Sequence, residues 1–598
     1  MAASYTPLRK SSIRLLEFLD DSGLTCSMKP YPRHIAPRYI ALSYTWGPTA
    51  FLKGASASTF YSMTLNDEKI SVQQNLHDAL VHLGFQVRKR GQLFWVDALC
   101  INQNDIPERN EQVRHMKDIY ESAANIFAWL GVPCNEQETK LAVKLMSKFN
   151  EHIVDTLRDN NNDNNFLSRS INVTHPGFPS EPESEVWKAW EGITGIFNRS
   201  YWQRVWIYQE ATTPGEIIFF CGKHAFYVKL LYATIGFVEA FSAHPNFPAR
   251  FAKAMGPTAS ARNVLSTRLL RSKPEDQVLA DQMQVIRNAD CTDPHDRVYA
   301  ALGHALDVPA GRITVDYNMP IVELYIDVMR YLLLEADLNI RALGFVFTTA
   351  PNSSHEVLEA KVEPELPSWV PDWRQRVSIW WFPHEEFLEA YGNPLYSPMP
   401  GRPELSIDGA VLHVQGFVVE FVEITMLTDI FDEPRMSWET PYAWYTQVMQ
   451  EYGGTSDLDQ AIRRTLVADR TIVSRSRGED EFRCKIRRGG SVDWPLIQQQ
   501  RDTLDLESLR KQEDMEQDIF TVCHGSRMAV LCDLRLAILP PAAKFGDKIA
   551  AFRGGPTLFL VRGASGGFSL IGDCYVDGWM DGALVKEGRY SETTLKLV

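Results

Sequence analysis

The stretch "FWVDALCINQNDIPERNEQVRHMKDIY", residues 94–120, begins with the pattern of a buried strand and ends with that of an amphipathic helix. Asp105 and Glu108 form the D-x-x-E pattern of a capping box at the start of the helix. A strand-to-helix turn needs one capping residue, and Asp105 supplies it. Four polar or reactive side chains at the same turn are left unexplained by capping: Asp97, Cys100, Asn102 and Gln103.

The segments on either side of this stretch continue the alternation of strand and helix. "RYIALSYTWG" is a β-rich run, and "SVQQNLHDALVHLGF" places apolar residues at helical spacing before the strand in "GQLFWVDALCI". "ANIFAWLG" and "EIIFFCG" are two further strand patterns. Because hydrophobic strands that alternate with helices form parallel sheets covered on both faces, the sequence predicts an α/β domain with a parallel sheet.

Composition changes along the chain predict four parts. Residues 1–38 form an N-terminal segment, and residues 39–225 form the α/β domain. Helical periodicity dominates residues 226–400, and short β-like runs predict a β-rich C-terminal domain over residues 401–598. The predicted insertions are a mobile, Asn-, Pro- and Ser-rich one near 150–185 and a charged one near 457–518.

The composition limits the partners of this 598-residue chain. It carries 61 Lys and Arg against 75 Asp and Glu, a formal net charge of -14, so we expect no nucleic-acid partner. No stretch of about 18 apolar residues occurs, which predicts no membrane span. Nine cysteines without a C-x-x-C pair indicate a reducing compartment, so we expect a cytoplasmic protein, with the nucleus as the alternative. The 14 histidines show no spacing typical of metal ligands, and we expect no metal site.

Side chains that leave two predicted strands define a candidate ligand site. In parallel sheets, ligands bind outside the carboxyl ends of the strands. If the first two strands are adjacent, their side chains share one cleft that takes a small-molecule ligand. The structural alternative is that Asp97 accepts loop amides, that Cys100 is a small buried hydrophobe, and that the two amides hold the turn. The residues that would line the cleft are Ser43, Tyr44, Trp46, Asp97, Cys100, Asn102 and Gln103.

Glu210 is a further candidate. It is the penultimate residue of "YWQRVWIYQEA", where helical spacing places Trp206 one turn and Trp202 two turns earlier on the same face. Burial beside aromatic rings raises the pKa of a carboxyl, which suits an acid or base. The alternative is a structural salt bridge to Arg204 or Arg199.

Three blocks of the sequence resemble the fungal heterokaryon incompatibility (HET) domain family: "YIALSYTWG", "LFWVDALCINQNDIPERNEQVRHMKDIYESAANIFAWLG", and "RSYWQRVWIYQEA" followed by "FFCG". "DPHDRVYAALG" and "LPSWVPDW" resemble the sections that follow the domain in long members. HET domains are thought to be related to TIR domains, so the resemblance implies a TIR-like, flavodoxin-like fold. It also places Glu210 where TIR enzymes that cleave NAD have their catalytic glutamate, and gives Tyr44 and Trp46 as aromatic surface for a nicotinamide or adenine ring.

The resemblance implies a protein of non-self recognition and programmed cell death, in which NAD is a candidate substrate and no cofactor is required. One alternative is an enzyme of secondary metabolism that uses acid-base catalysis. Another is a non-catalytic module that acts by self-association or through a protein partner. The catalytic candidates are Glu210, Asp97 and Cys100, and the ligand-binding candidates are Ser43, Tyr44, Trp46, Asn102, Gln103 and Trp206.

Overall fold

The computed structural model of the chain divides into two compact units, Met1–Met319 and Pro320–Val598. The residues that the structure describes are 5–46, 59–159, 175–242, 246–254, 258–270, 277–346, 365–375, 396–420, 423–431, 438–477, 482–499, 506–588 and 590–598.

A nine-stranded sheet forms the centre of the described part of the first unit, in the order β5-β4-β2-β1-β6-β3-β7-β8-β9. Within it β6, β3, β7 and β8 are parallel neighbours. These are the four strands that the sequence predicts, and the α/β class with parallel strands is confirmed. The strands are β1 Ser12–Phe18, β2 Thr25–Pro32, β3 Tyr39–Tyr44, β4 Phe60–Leu65, β5 Glu68–Gln73, β6 Leu93–Trp95, β7 Asn125–Trp129, β8 Ile217–Cys221 and β9 His224–Tyr227.

The parallel strands are extended by antiparallel ones that the sequence patterns do not predict. β1 pairs antiparallel with both β2 and β6, so the predicted N-terminal segment, 1–38, contributes two strands to the sheet. β4 and β5 form an antiparallel pair at one edge, and β9 pairs antiparallel with β8 at the other. The parallel centre therefore lies inside a mixed sheet.

Helices of the first unit follow the strands and carry one buried face. In the helix after β5, Leu76, Leu80 and Leu83 are buried, as their spacing predicts. The helices are α1 Gln74–Lys89, α2 Asp97–Cys100, α3 Ile106–Arg114, α4 Met116–Glu121, α5 Glu136–Asp159, α6 Glu185–Phe197, α7 Ile207–Glu210, α8 Val228–Ser242, α9 Ala249–Ala254, α10 Thr258–Leu270, α11 Leu279–Val285 and α12 Asp296–Leu302.

The predicted insertion near 150–185 begins inside α5, which continues to Asp159. Residues 160–174 lie outside the described residues. In the part that follows, Phe178 is buried, and the indole of Trp190 donates to the Gly177 carbonyl at 2.9 Å. This end of the insertion is therefore anchored to the aromatic face of α6.

In the described part of the second unit, eight strands follow the order β10-β11-β17-β18-β19-β16-β15-β12, and β20 pairs with both β11 and β19. The pairings β11-β17-β18-β19-β20-β11 close a ring of five strands. The predicted β-rich C-terminal region is confirmed. The strands are β10 Leu405–Asp408, β11 Val411–Val419, β12 Ile424–Leu427, β13 Arg470–Arg477, β14 Phe482–Arg488, β15 Arg527–Leu531, β16 Leu536–Leu539, β17 Lys548–Phe552, β18 Leu558–Ala564, β19 Gly567–Val576 and β20 Thr593–Leu597.

The charged insertion predicted near 457–518 contains helices and the separate β13-β14 hairpin. Among the described residues of both units, no helix combines the length and the hydropathy that crossing a bilayer requires. The helices of the second unit are α13 Ile321–Leu334, α14 Glu439–Tyr452, α15 Ser456–Thr465, α16 Trp494–Ile497, α17 Leu506–Cys523 and α18 Ala583–Lys586.

The helix start predicted at Asp105 is present, but its second half differs from a capping box. The Asp105 carboxylate accepts the backbone N–H of Glu108 at 3.1 Å, as predicted. The Glu108 carboxylate accepts the N–H of Asn102 at 2.7 Å and forms a two-point ion pair with Arg14. Both side chains of this pair are buried, with exposed fractions of 8% for Glu108 and 3% for Arg14. Glu108 thus ties α3 to β1 and to the turn that carries the candidate residues.

We predict that Glu108→Ala destabilises the first unit by about 3–5 kcal/mol, because it leaves the Arg14 guanidinium buried without its counter-charge. Urea unfolding measures the change. The matched control is Glu111→Ala on the same helix, where the carboxylate forms a partly exposed pair with Arg114, and the cost should stay below about 1 kcal/mol. Equal costs for the two variants would contradict the role of the buried pair.

Candidate active site

Two strand ends and one later segment meet at the carboxyl edge of the parallel strands. β3 ends with Ser43 and Tyr44, and Asp97 begins α2 two residues after β6. β3 and β6 are hydrogen-bonded neighbours in parallel register. The segment 199–210 ends in α7 with Glu210, and its side chains contact both strand ends.

Glu210 is fixed by a chain of hydroxyl groups. Its carboxylate is buried, with 1% of the residue exposed, and Oε2 accepts the Ser43 hydroxyl at 2.5 Å. The oxygens of Ser43 and Tyr201 are 2.8 Å apart. Because Ser43 gives its proton to Glu210, the Tyr201 hydroxyl donates to Ser43. The other carboxylate oxygen, Oε1, accepts no hydrogen bond among the described residues. The Tyr120 hydroxyl lies close enough to the carboxyl to lower its pKa, against the larger effect of burial.

Asp97 lies on the surface side of the same cluster. Its Oδ2 accepts the indole N–H of Trp46 at 2.9 Å, and its Oδ1 accepts the N–H of Ala98 at 2.7 Å. The Tyr44 hydroxyl is a further hydrogen-bond partner of this carboxylate. Trp46 is 41% exposed whereas Asp97 is 6% exposed, so the indole marks where the cluster approaches the surface.

Arg204 lies between the two carboxylates. Its Nη2 is 3.8 Å from Asp97 Oδ2, and its Nη1 is 3.9 Å from Glu210 Oε1. Both distances exceed that of a direct hydrogen bond. The guanidinium therefore offsets the negative charge of the two carboxylates without donating a hydrogen bond to either of them. Its Nη1 donates to the Tyr44 carbonyl. The sequence predicts Arg204 or Arg199 as the ion-pair partner of Glu210, and Arg199 instead donates to the carbonyls of Gly195 and Val132.

The burial of this cluster changes its acid-base properties. Burial raises the pKa of Glu210 to about 7, although Arg204 opposes the rise. Burial likewise raises the pKa of Asp97 against the opposing charge of Arg204. Two carboxylates facing one guanidinium give a net charge of minus one when both are ionised. The site is therefore suited to hold a proton or to stabilise positive charge on a ligand.

The single helix predicted for "YWQRVWIYQEA" is wrong. Ser200–Gln203 is a 3-10 turn, and α7 contains only Ile207–Glu210. Between them the N–H of Val205 donates to the carbonyl of Asp290 at 2.9 Å, and this pairing interrupts the helix. The indole N–H of Trp202 donates to the Ile196 carbonyl, and that of Trp206 faces Asp296, so the two tryptophans do not form one face with Glu210.

The remaining candidates lie at the predicted turn with different surroundings. Cys100 is 1% exposed, its sulfur accepts the N–H of Val96 at 3.4 Å, and burial raises the pKa of its thiol to about 12. The Gln103 amide donates to the Asp97 carbonyl at 3.1 Å, and Asn102 binds Glu108 through its backbone. These contacts stabilise the backbone of the turn that carries Asp97.

Tyr201 and Tyr120 also belong to the cluster, and no sequence pattern distinguishes them from other tyrosines. The Tyr201 hydroxyl binds the Ser43 hydroxyl, which in turn binds Glu210. The Tyr120 hydroxyl donates to the carbonyl of Leu42 in β3 at 2.9 Å. Burial within α/β segments is common for tyrosine, so only the fold distinguishes these two. Within the described ranges, no group of three or more His, Cys, Asp or Glu side chains is arranged to hold a metal ion.

These features define an α/β domain with a buried, acid-rich site at the carboxyl ends of parallel strands. Residues 39–210 match the family described as "Heterokaryon incompatibility protein (HET)". The chain is also 22% identical to "Heterokaryon incompatibility protein 6, OR allele" of Neurospora crassa, over 96% of this chain and 94% of that protein. No solved structure matches the chain significantly. The chain therefore contains a segment that matches the heterokaryon incompatibility (HET) family, and over most of its length it is similar to a fungal heterokaryon incompatibility protein.

We predict that the stability of the wild type relative to Glu210→Gln falls as the pH rises. The folded state raises the pKa of Glu210 from 4.5 to about 7, so it binds a proton that the unfolded chain has already lost. The stabilisation is complete below the unfolded pKa and is lost as the pH rises through the folded one. The loss is about 3 kcal/mol, since one pKa unit corresponds to about 1.4 kcal/mol.

Urea unfolding midpoints of both proteins across this pH range measure the difference. Glu216→Gln, in which an exposed carboxylate is neutralised, is the matched control and should follow the wild type. A pH-independent difference between the wild type and Glu210→Gln would contradict the raised pKa.

Proposed function

We propose that this chain acts in fungal non-self recognition and programmed cell death, and that its HET domain hydrolyses the bond between nicotinamide and ribose in NAD. The proposal includes a TIR-like ancestry of the domain. The observation that carries it is the buried Glu210 carboxyl, which has one oxygen held by Ser43 and the other without a hydrogen-bond partner among the described residues.

The chemistry matches an anionic, preorganised site. As the glycosidic bond breaks, its electron pair moves to the pyridinium nitrogen, nicotinamide leaves neutral, and positive charge develops on the ribose. A fixed carboxylate stabilises this oxocarbenium-like state. Water then forms the new bond to the anomeric carbon, and its proton passes to a carboxylate. With a pKa of about 7, Glu210 is partly ionised at neutral pH and can accept this proton.

The arrangement also suggests how a ligand is oriented. Trp46 offers an exposed aromatic face next to Asp97, on which a nicotinamide or adenine ring can stack. Arg204 lies between the two acids and donates to the Tyr44 carbonyl. Asp97 and Glu210 would then bind hydroxyls of the ribose from opposite sides of the guanidinium.

One observation favours a non-catalytic module instead. Glu210 is 1% exposed and Ser43 is fully buried, so a substrate reaches the carboxylate only if the surrounding side chains move. A purely structural cluster needs no such movement, and the domain would then act by assembly with other proteins.

We predict that the purified protein releases nicotinamide from NAD, and that Glu210→Gln lowers kcat by at least about 100-fold, the usual scale for loss of an acid-base group. Chromatography of nicotinamide and ADP-ribose measures the rate. Glu216→Gln is the matched control, because it changes an exposed carboxylate six residues away and should keep the wild-type rate. No release by the wild type, or equal release by Glu210→Gln, would exclude the hydrolase and favour the assembly module.

A further inference from the structure

The helix that carries Glu210 is too short to hold its own position. α7 has four residues, and its closing hydrogen bonds run from the N–H of Glu210 to the Trp206 carbonyl and from that of Ala211 to the Ile207 carbonyl. A single helical turn is unstable in isolation, because nucleation restricts several residues for one hydrogen bond. The orientation of Glu210 must therefore come from contacts outside α7.

Those contacts come largely from α12 and from the two residues after it. Gln209 is 1% exposed, and its side-chain amide donates to the carbonyls of Ala300 at 2.8 Å and Tyr299 at 3.2 Å. Carbonyls in the last turn of a helix have no partner within that helix. Gln209 therefore caps the carboxyl end of α12, and α12 in return fixes the residue next to Glu210.

Gly303 and His304 complete this contact. Gly303 has a φ of -59°, an ordinary helical value, so the backbone itself does not require glycine there. A Cβ at this position would lie 2.1 Å from the side-chain amide nitrogen of Gln209. The buried His304 approaches the Tyr208 carbonyl with Nε2 at 3.0 Å. The backbone of Tyr208 and the side chain of Gln209, two consecutive residues of α7, are thus held by the end of α12 and by His304, which follows it.

The beginning of α12 holds the other end of α7. The Trp206 indole N–H faces the Asp296 carboxylate, and this carboxylate also accepts the Tyr317 hydroxyl at 2.6 Å. Arg109 lies over the Tyr317 ring, 3.4 Å from its centre, and its Nη2 is 3.3 Å from Asp293. α12 therefore contacts the residues immediately before and within α7, at both of its own ends.

We infer that α12, the core of the motif "DPHDRVYAALG", is the positioning element of Glu210, with Gln209 and Gly303 as positioning residues. The matched HET segment, residues 39–210, contains Glu210 but not α12. The catalytic consequence rests on the proposed function, whereas the mechanical coupling rests on the contacts alone.

The test uses the full chain and two substitutions that break the same contact from opposite sides. Gly303→Ala inserts a methyl group where the Gln209 amide lies, and Gln209→Ala removes that amide. Gly195→Ala in α6 is the matched control, since a Cβ there meets no atom within 4 Å. Hydrogen exchange of the amides in residues 205–213 is followed by mass spectrometry.

Both variants should exchange at residues 207–211 at least about tenfold faster than the wild type, while the strands of the parallel sheet keep their protection. The control should match the wild type. In the background of Gln209→Ala, the Gly303→Ala substitution should add little, because the two act on one contact. Unchanged exchange in both variants, or a uniform increase over the whole first unit, would overturn the coupling. Should Gly303→Ala fail to fold, the exchange rates of Gln209→Ala alone decide whether α12 positions α7.

Nicotinamide release then tests the catalytic part. A loosened α7 should lower kcat by about 10–100-fold with little change in KM, as misplacement of a catalytic group does. A loosened α7 should also let water reach Glu210, which favours the ionised carboxylate and lowers its pKa. The part of the pH-rate profile that reports the ionisation of Glu210 should then move to lower pH. Faster exchange with an unchanged kcat and pH profile would overturn the positioning role. If the wild type releases no nicotinamide, the proposed function fails, and the exchange data still decide the coupling.

Discussion

The Arg204 guanidinium, placed between two buried carboxylates, is the interaction on which the site depends. It joins the end of β3 through the Tyr44 carbonyl, the turn after β6 through Asp97, and α7 through Glu210. Taking three charges out of water costs more than their attraction usually returns, and well-packed apolar side chains are often as stable. Stability alone therefore gives no reason for charges here. A need to hold a proton or to bind a cationic ligand would give such a reason.

The sequence predicts the parallel centre of the sheet because its strands are buried on both faces and read as continuous apolar runs. Tyr39–Tyr44, Asn125–Trp129 and Ile217–Cys221 are examples in which almost every residue is buried. The helix cap at Asp105 can also be predicted from the sequence, because it is a local contact between residues three apart. Strand ends and caps place Asp97 and Ser43 at one edge of the sheet, and that convergence follows from the topology of parallel strands.

What the sequence does not predict depends on partners that are distant along the chain. The apolar spacing of "YWQRVWIYQEA" is helical, but Val205 pairs with Asp290 and this long-range contact overrides the local pattern. Arg204 gains its place from the Tyr44 carbonyl, 160 positions earlier. β2 is a strand of mixed burial, whereas β1 is almost wholly buried. The pairing of β1 with β6, and of β2 with β1, identifies both as part of the sheet.

The C-terminal limit of the HET domain differs between the family match in sequence and the compact unit in the structure. The family match ends at Glu210, and the boundary predicted at residue 225 lies soon after it, yet the first compact unit continues to Met319. The reason is physical: α7 cannot stand alone, and it is held by the Ala300 carbonyl of α12 and by the side chain of His304, two residues after α12. Arg268 of α10 adds a further anchor by donating to the Gly215 carbonyl, between α7 and β8. A segment that bears the candidate acid thus depends on residues that follow it by about 90 positions, as the separations of the Gln209 contacts require.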